Sequence, residues 1–166
     1  SSSLVKGLRT NATLVVCPPS VMSTWIAQLE HTVPVALMTY MYYGERRTED
    51  PYELNMYYLV LTTYPTLASE HNASMMPAKK MHWRRIVLDE AHTIKNFNAQ
   101  QSVAVSKLNP QCRWAVTGTP IQSCCIDLFS MMVFLRFQPF SVRHQWRELV
   151  QRSLNKGTDK GLLSLQ

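Results

Sequence analysis

Ile86-Val87-Leu88-Asp89-Glu90-Ala91-His92 is the stretch on which the fold turns. A short apolar run with β-branched members reads as a buried strand of a parallel sheet. In open α/β sheets the ligand crevice lies at the carboxyl ends of the strands. Two adjacent carboxylates at such an end are expensive to desolvate unless a cation offsets them. A magnesium nucleotide fits that need, with Asp89 holding the metal and Glu90 orienting and deprotonating a water. An exposed acidic turn explains the same letters, and on these residues alone the two readings stand level.

Trp114-Ala115-Val116-Thr117-Gly118-Thr119-Pro120 favours the first reading. It is another short apolar strand, closed by hydroxyls, a glycine and a proline. Gly118 opens backbone angles closed to other residues and Pro120 stiffens the exit. Thr117 and Thr119 are therefore expected in a fixed turn beside the carboxylates.

Strand and helix signals alternate along the chain. Strands are expected at Thr13 to Cys17, Val35 to Tyr43, Tyr57 to Thr62, Ile86 to Leu88 and Arg113 to Val116. A helix capped by Ser20 is expected to run to about His31, with Val21, Trp25, Ile26 and Leu29 on its apolar face. Further helices are expected after Pro65, at Ala99 to Leu108 with its end at Asn109-Pro110, at Asp127 to Phe137, and from a Ser141 cap to Leu154. Loops fill Gly44 to Pro51 and Glu70 to Lys80. Such alternation implies βαβ crossovers and one α/β domain, a mostly parallel sheet flanked by helices on both faces. Trp25, Trp83, Trp114 and Trp146 are expected in the core, and the nine methionines as gap fillers there.

Composition sets bounds. The 166 residues are 46% hydrophobic, enough for one good core. No apolar run nears the roughly 20 residues of a membrane helix, and the start does not read as a signal peptide. Cys17, Cys112, Cys124 and Cys125 lack paired metal spacing, and reduced, buried thiols are expected. The net charge is +6. From Arg136 to Lys160, six basic residues face only Glu148 and Asp159, and Lys79-Lys80 with Arg84-Arg85 form a second cluster. Basic stripes suit a nucleic-acid backbone, though a solvated helix face is the commoner use of such runs.

These stretches together resemble the first RecA-like lobe of superfamily-two helicases, and among them the SWI/SNF-type DNA translocases. Leu14 to Ser20 with Trp25 is similar to the family's motif Ia, Val60 to Tyr64 to motif Ib, Asp89 to Asn96 to motif II, and Thr117 to Gln122 to motif III. Tyr42-Tyr43-Gly44, Trp83-Arg84-Arg85 and Phe137 to Phe140 are similar to the helicase-like transcription factor branch, which works in DNA repair and transcription. The motifs come in order and cover nearly the whole chain.

The resemblance implies ATP and Mg²⁺ as cofactors, with Asp89 on the metal and Glu90 as general base. It implies that His92, Thr117, Thr119 and Gln122 couple nucleotide state to lobe closure, and that Pro18, Ser20, Thr62 and Thr63 contact DNA phosphates. Arg84 and Lys95 are weaker candidates for the same contacts. Double-stranded DNA is the implied partner, with nucleosomes or replication forks as its setting, the nucleus as location, and a second motor lobe completing the site. Ser123 departs from the family's usual Asn.

None of the five glycines opens a phosphate-cradling Gly-x-x-x-x-Gly-Lys-Ser/Thr loop. Residues 1–166 are thus expected to be a partial lobe without that loop, without the second lobe and without the branch's RING finger. A missing arginine finger alone lowers phosphoryl transfer by about 10³-fold, so the chain by itself is expected not to hydrolyse ATP. Two other functions compete: an RNA helicase of the same superfamily, and a non-catalytic module binding DNA or a protein.

Overall fold

The computed structural model describes residues 8–32, 38–70, 77–119 and 126–152. Its centre is β5 (Met81–Leu88), which bonds on both edges. On one edge lies β6 (Asn109–Ala115), paired from His82↔Asn109 to Leu88↔Ala115. The other edge carries β1 (Leu8–Arg9) against Met81 and His82, and then β2 (Thr13–Cys17) against Arg85 to Leu88. Next come β4 (Leu59–Thr63) and β3 (Thr39–Tyr42). Every pairing among the described residues is parallel. Cys17 lies beside Thr63, Val16 beside Leu88 and Leu88 beside Ala115, so the strands end almost flush.

Alternation along β2 divides the core between two faces. Leu14 and Val16 point into the larger cluster with Val60, Ile86 and Leu88. That face is covered by α3 (Tyr64–Glu70), α5 (Gln100–Ser106) and α6 (Ile126–Leu135) through Leu67, Val105 and Phe134. Val15 and Cys17 point the other way, into a cluster with Leu61 and Met22 of α1 (Pro19–Thr32). The expected α/β architecture, helices on both faces of a parallel sheet, is what forms. A third cluster joins Phe129 to Trp146 and Val150 of the final helical segment, α7 (Arg143–Trp146) followed by a π-turn at Arg147–Gln151.

Boundaries depart from the sequence expectation for identifiable reasons. β6 starts at Asn109 rather than Arg113, because among the described residues it pairs only with β5. Pro110, lacking an N–H, is tolerated in such an edge strand. Helix α1 is already helical at Pro19, so Ser20 sits in its first turn and is not the cap. Val142, not Ser141, precedes α7. The chain from Gly44 (φ 82°) to Pro51 is loop as expected, followed by α2 (Pro51–Leu54), which Asp50 caps by accepting from the Tyr52 N–H at 2.9 Å. Pro77–Lys80 is a short helix, α4. Val35 and the start of the expected third strand lie outside the described residues.

Trp83 and Trp146 are buried, and Trp25 is half-buried. Trp114 is not in the core: it is 56% exposed, with the Arg85 guanidinium 5.9 Å from its ring centre. Val142 and Leu149 are likewise exposed. Among the described residues, helix α1 packs as far as Val87, and Trp114 on β6 lies outside that cluster. Cys17 is buried as expected, whereas Cys112 is exposed on β6. Arg113 lies 5.1 Å from the Phe134 ring centre and donates to the Leu108 carbonyl at 2.8 Å. Burial, and then the charge of Arg136, lower its pKa to about 10. No helix of the described residues is long and apolar enough to cross a membrane.

Replacing Ile86, which is fully buried, with Ala is expected to lower unfolding stability by about 2–5 kcal/mol in urea titrations. Trp114→Ala is expected to change it by no more than about 0.5 kcal/mol, since that ring covers no core.

Candidate active site

The flush strand ends bring four segments together. Immediately after β5, the Asp89 N–H donates to the Val16 carbonyl at 2.8 Å, extending the ladder by one rung. Val116 donates to the Leu88 carbonyl at 2.8 Å, and Ala91 donates back to the Val116 carbonyl at 2.9 Å. Backbone bonding alone therefore fixes the acidic turn against the segment after β6.

Glu90 turns the chain with a left-handed backbone, φ 47° and ψ 51°. A non-glycine residue reaches that region at a cost of about 1–3 kcal/mol. The surroundings hold it there. Thr93 donates to the Glu90 carbonyl through its N–H at 2.9 Å and its hydroxyl at 2.8 Å, opening a 3₁₀ turn at Ala91–Ile94. Buried Ala91 and Ile94 anchor that turn in the main core.

Asp89 is fastened from three directions. Its Oδ1 accepts the Glu90 N–H at 2.9 Å, its Oδ2 accepts the Trp25 indole N–H at 2.7 Å, and its carbonyl accepts the Tyr64 hydroxyl at 2.7 Å. Burial, and then the Asp89 charge, push the Tyr64 phenol well above its ordinary pKa and the Cys17 thiol up to about 11. Both groups thus stay neutral around the carboxylate. Cys17 donates its S–H to the Thr62 carbonyl at 3.6 Å.

His92 reaches the segment after β6. Its Nδ1 lies 3.1 Å from Thr117 Oγ1, 3.4 Å from Thr119 Oγ1 and 3.2 Å from Glu90 Oε2. The Thr119 N–H donates to Thr117 Oγ1 at 3.2 Å. Asp89, Glu90, His92, Thr117 and Thr119 are thus gathered in one place, with the Glu90 side chain 42% exposed at the mouth. Gln122 lies outside the described residues.

The expected DNA contacts are only partly gathered. Pro18 and exposed Ser20 stand at the amino end of α1, at the same sheet edge. Thr62 and Thr63 share that edge but are fully buried. The Thr62 hydroxyl donates to the Tyr42 carbonyl at 2.8 Å, and that of Thr63 pairs with Thr66 Oγ1 at 2.8 Å. Their hydroxyls are enclosed and do not offer the expected phosphate contact. Arg84 is exposed but four residues short of the end of β5, roughly 13 Å back along the strand. Lys95 is exposed just past the 3₁₀ turn, its carbonyl accepting the Ser130 hydroxyl at 2.9 Å.

Among the described residues no three His, Cys, Asp or Glu side chains converge as a metal cage. Mg²⁺ does not need one: one or two carboxylates suffice when phosphates and waters complete its octahedron. Each Asp89 oxygen accepts a single N–H and keeps a second acceptor direction, so the donor set fits a hard cation delivered with its nucleotide.

Residues 5–166 match the SNF2-related domain family. The chain belongs to that family. A putative SWI/SNF-related matrix-associated actin-dependent regulator of chromatin subfamily A member 3-like 1 from Arabidopsis thaliana is 61% identical over 93% of this chain and 18% of its own length. The helicase-like transcription factor of Mus musculus is 42% identical over 96% of the chain and 16% of its own. DNA repair protein RAD5A of Arabidopsis thaliana is 39% identical, with the same two shares. The SNF2-related chain thus spans less than a fifth of these relatives. Among solved structures, the Sulfolobus solfataricus SWI2/SNF2 ATPase core in complex with dsDNA superposes with a TM-score of 0.77 at 30% identity. That match covers 93% of this chain and 31% of the other, and it gives the fold as a RecA-like lobe.

Sequence reasoning missed Trp25 and Tyr64 as site residues: Trp25 was expected in the core, and Tyr64 was only the last letter of a motif. For Tyr64 the available signal was a hydrogen-bonding aromatic placed just beyond a strand end, where an acceptor must be near; Trp25, well inside α1, gave no such signal.

The burial of Cys17 has a pH consequence. Its thiol goes from 9.0 unfolded to about 11 folded, so its contribution to stability is complete below pH 9 and lost as pH rises to about 11. Comparison with Cys17→Ala by urea titration at pH 7 to 11 is expected to remove that part of the decline. With Cys124 and Cys125 replaced by Ser, Cys112 is expected to react with an aromatic disulfide at pH 8, and Cys17 only after unfolding.

Proposed function

We propose that this SNF2-related chain supplies one wall of the ATP site and part of the DNA track of an ATP-driven double-stranded DNA translocase. The supporting observation is the cluster of Asp89, Glu90, His92, Thr117 and Thr119, held by backbone bonds at one sheet edge with the amino end of α1. Its relatives carry the names of chromatin regulators, helicase-like factors and repair proteins, and a structural neighbour was solved with duplex DNA. Those names favour a motor over a non-catalytic binding module.

In this reading Asp89 would hold Mg²⁺, which would supply charge neutralisation at the phosphates. Glu90 accepts a proton from the water whose oxygen attacks the γ-phosphorus while the bond to the bridging oxygen breaks. The left-handed backbone at Glu90 aims its carboxylate across the cleft toward His92. His92 holds Thr117 and Thr119 in the geometry set by Glu90, so that a change at the phosphate reaches the segment after β6. Pro18 and Ser20 present the first turn of α1 to a DNA phosphate, with Lys95 nearby. Such contacts position a duplex without reading its sequence.

These residues contain no phosphate-cradling glycine loop, so turnover belongs to a longer ATPase that also contributes that loop and a second lobe. The setting we propose is nuclear DNA, at nucleosomes or replication forks. In that ATPase, Glu90→Gln is expected to lower DNA-stimulated phosphate release by about 10²- to 10⁴-fold with duplex affinity unchanged. Unchanged release would refute the assignment. The chain alone should bind a labelled duplex in fluorescence anisotropy, weakening about 10- to 40-fold from 50 to 200 mM salt if two or three phosphates are contacted. Ser20→Asp should weaken it further, and binding indifferent to salt would refute the DNA track.

A further inference from the structure

We propose that Trp25 is a positioning residue for the metal-binding carboxylate, and that it makes the seating of α1 on the sheet a determinant of divalent-cation affinity. The inference rests on the reading of Asp89 as the Mg²⁺ ligand.

The geometry is specific. Trp25 is the seventh residue of α1, roughly 9 Å along the helix from Pro19. Its indole N–H reaches Asp89 Oδ2 at 2.7 Å, across 64 residues of sequence. The Glu90 N–H holds Oδ1 at 2.9 Å. The carboxylate is therefore gripped by one donor from its own turn and one from a separate helix. Only the second can move relative to β5. The rest of the Trp25 ring packs on the cluster of Val15, Cys17, Leu61 and Met22, so its location is set by where α1 lies on β2 and β4. Nearby Tyr64 reaches only the Asp89 carbonyl, and the Cys17 thiol donates to the Thr62 carbonyl. Two N–H donors thus define its orientation, and they leave its net negative charge intact for a cation.

A half-buried indole gains stability from an acceptor in any case, so the test must separate that role from positioning. Trp25→Phe keeps the ring packing and removes the donor. In ¹⁵N-labelled chain, the indole resonance absent from Trp25→Phe identifies Trp25, and Asp89→Asn is expected to shift that resonance more than the other three indoles. In the longer ATPase, Mn²⁺ supplied with a non-hydrolysable ATP analogue and followed by electron paramagnetic resonance is expected to bind about 10-fold more weakly to Trp25→Phe. A residue with a purely structural role would lower the urea midpoint in Trp25→Phe and leave Mn²⁺ affinity untouched. Unchanged affinity in Trp25→Phe, with binding lost in Asp89→Asn, would overturn the role of Trp25 and spare the metal site. Unchanged binding in Asp89→Asn would overturn both.

Discussion

Parallel pairing of β5 with β2 on one edge and β6 on the other sets everything else in this molecule. Because Val16, Leu88 and Ala115 lie side by side, the chain leaves all three strands at one level. Asp89 then bonds to Val16, and Val116 to Leu88, before either segment turns. A slip of one residue would reverse the faces of β5 and separate the acidic turn from the threonines. Ile86 and Leu88 on one face and Val87 on the other resist such a slip, since each would trade a buried position for the wrong layer.

Inside that frame, electrostatics is handled by neutral donors rather than by ion pairs. The carboxylate of Asp89 is met by an indole and a backbone amide, with a protonated thiol and a phenol close by. Neither donor carries a charge, so neither compensates that of the carboxylate. Charged pairing appears elsewhere: Arg47 with Glu70, which also accepts from the Tyr42 hydroxyl at 2.7 Å, ties the loop after β3 to α3. Burial, then that bond to Glu70, raise the Tyr42 pKa above its ordinary value.

Much of this was legible in the amino-acid sequence, and the rest was hidden for physical reasons. Thr13 to Cys17 is a strand with the expected limits, because the apolar run Leu14-Val15-Val16-Cys17, buried on both faces, has few alternatives. The meeting of Asp89 to His92 with Thr117 and Thr119 followed from two strand ends and the rule for parallel sheets. Strand letters cannot tell which side of an edge strand is covered, so Trp114 was expected inside and lies outside. Nor do they tell whether a threonine hydroxyl at a strand end points outward or is taken by a neighbour, as at Thr62 and Thr63. The bond from Trp25 to Asp89 spans two elements and leaves no local trace.

The left-handed turn at Glu90 carries a last implication. Folding by itself favours glycine at such a position, since glycine alone enters that region without strain. A glutamate there carries that cost, and its carboxylate lies 3.2 Å from His92 Nδ1. In the role proposed for Glu90 the strained backbone and the proton acceptor are one residue, and a drift toward a more comfortable turn would carry that carboxylate away from His92.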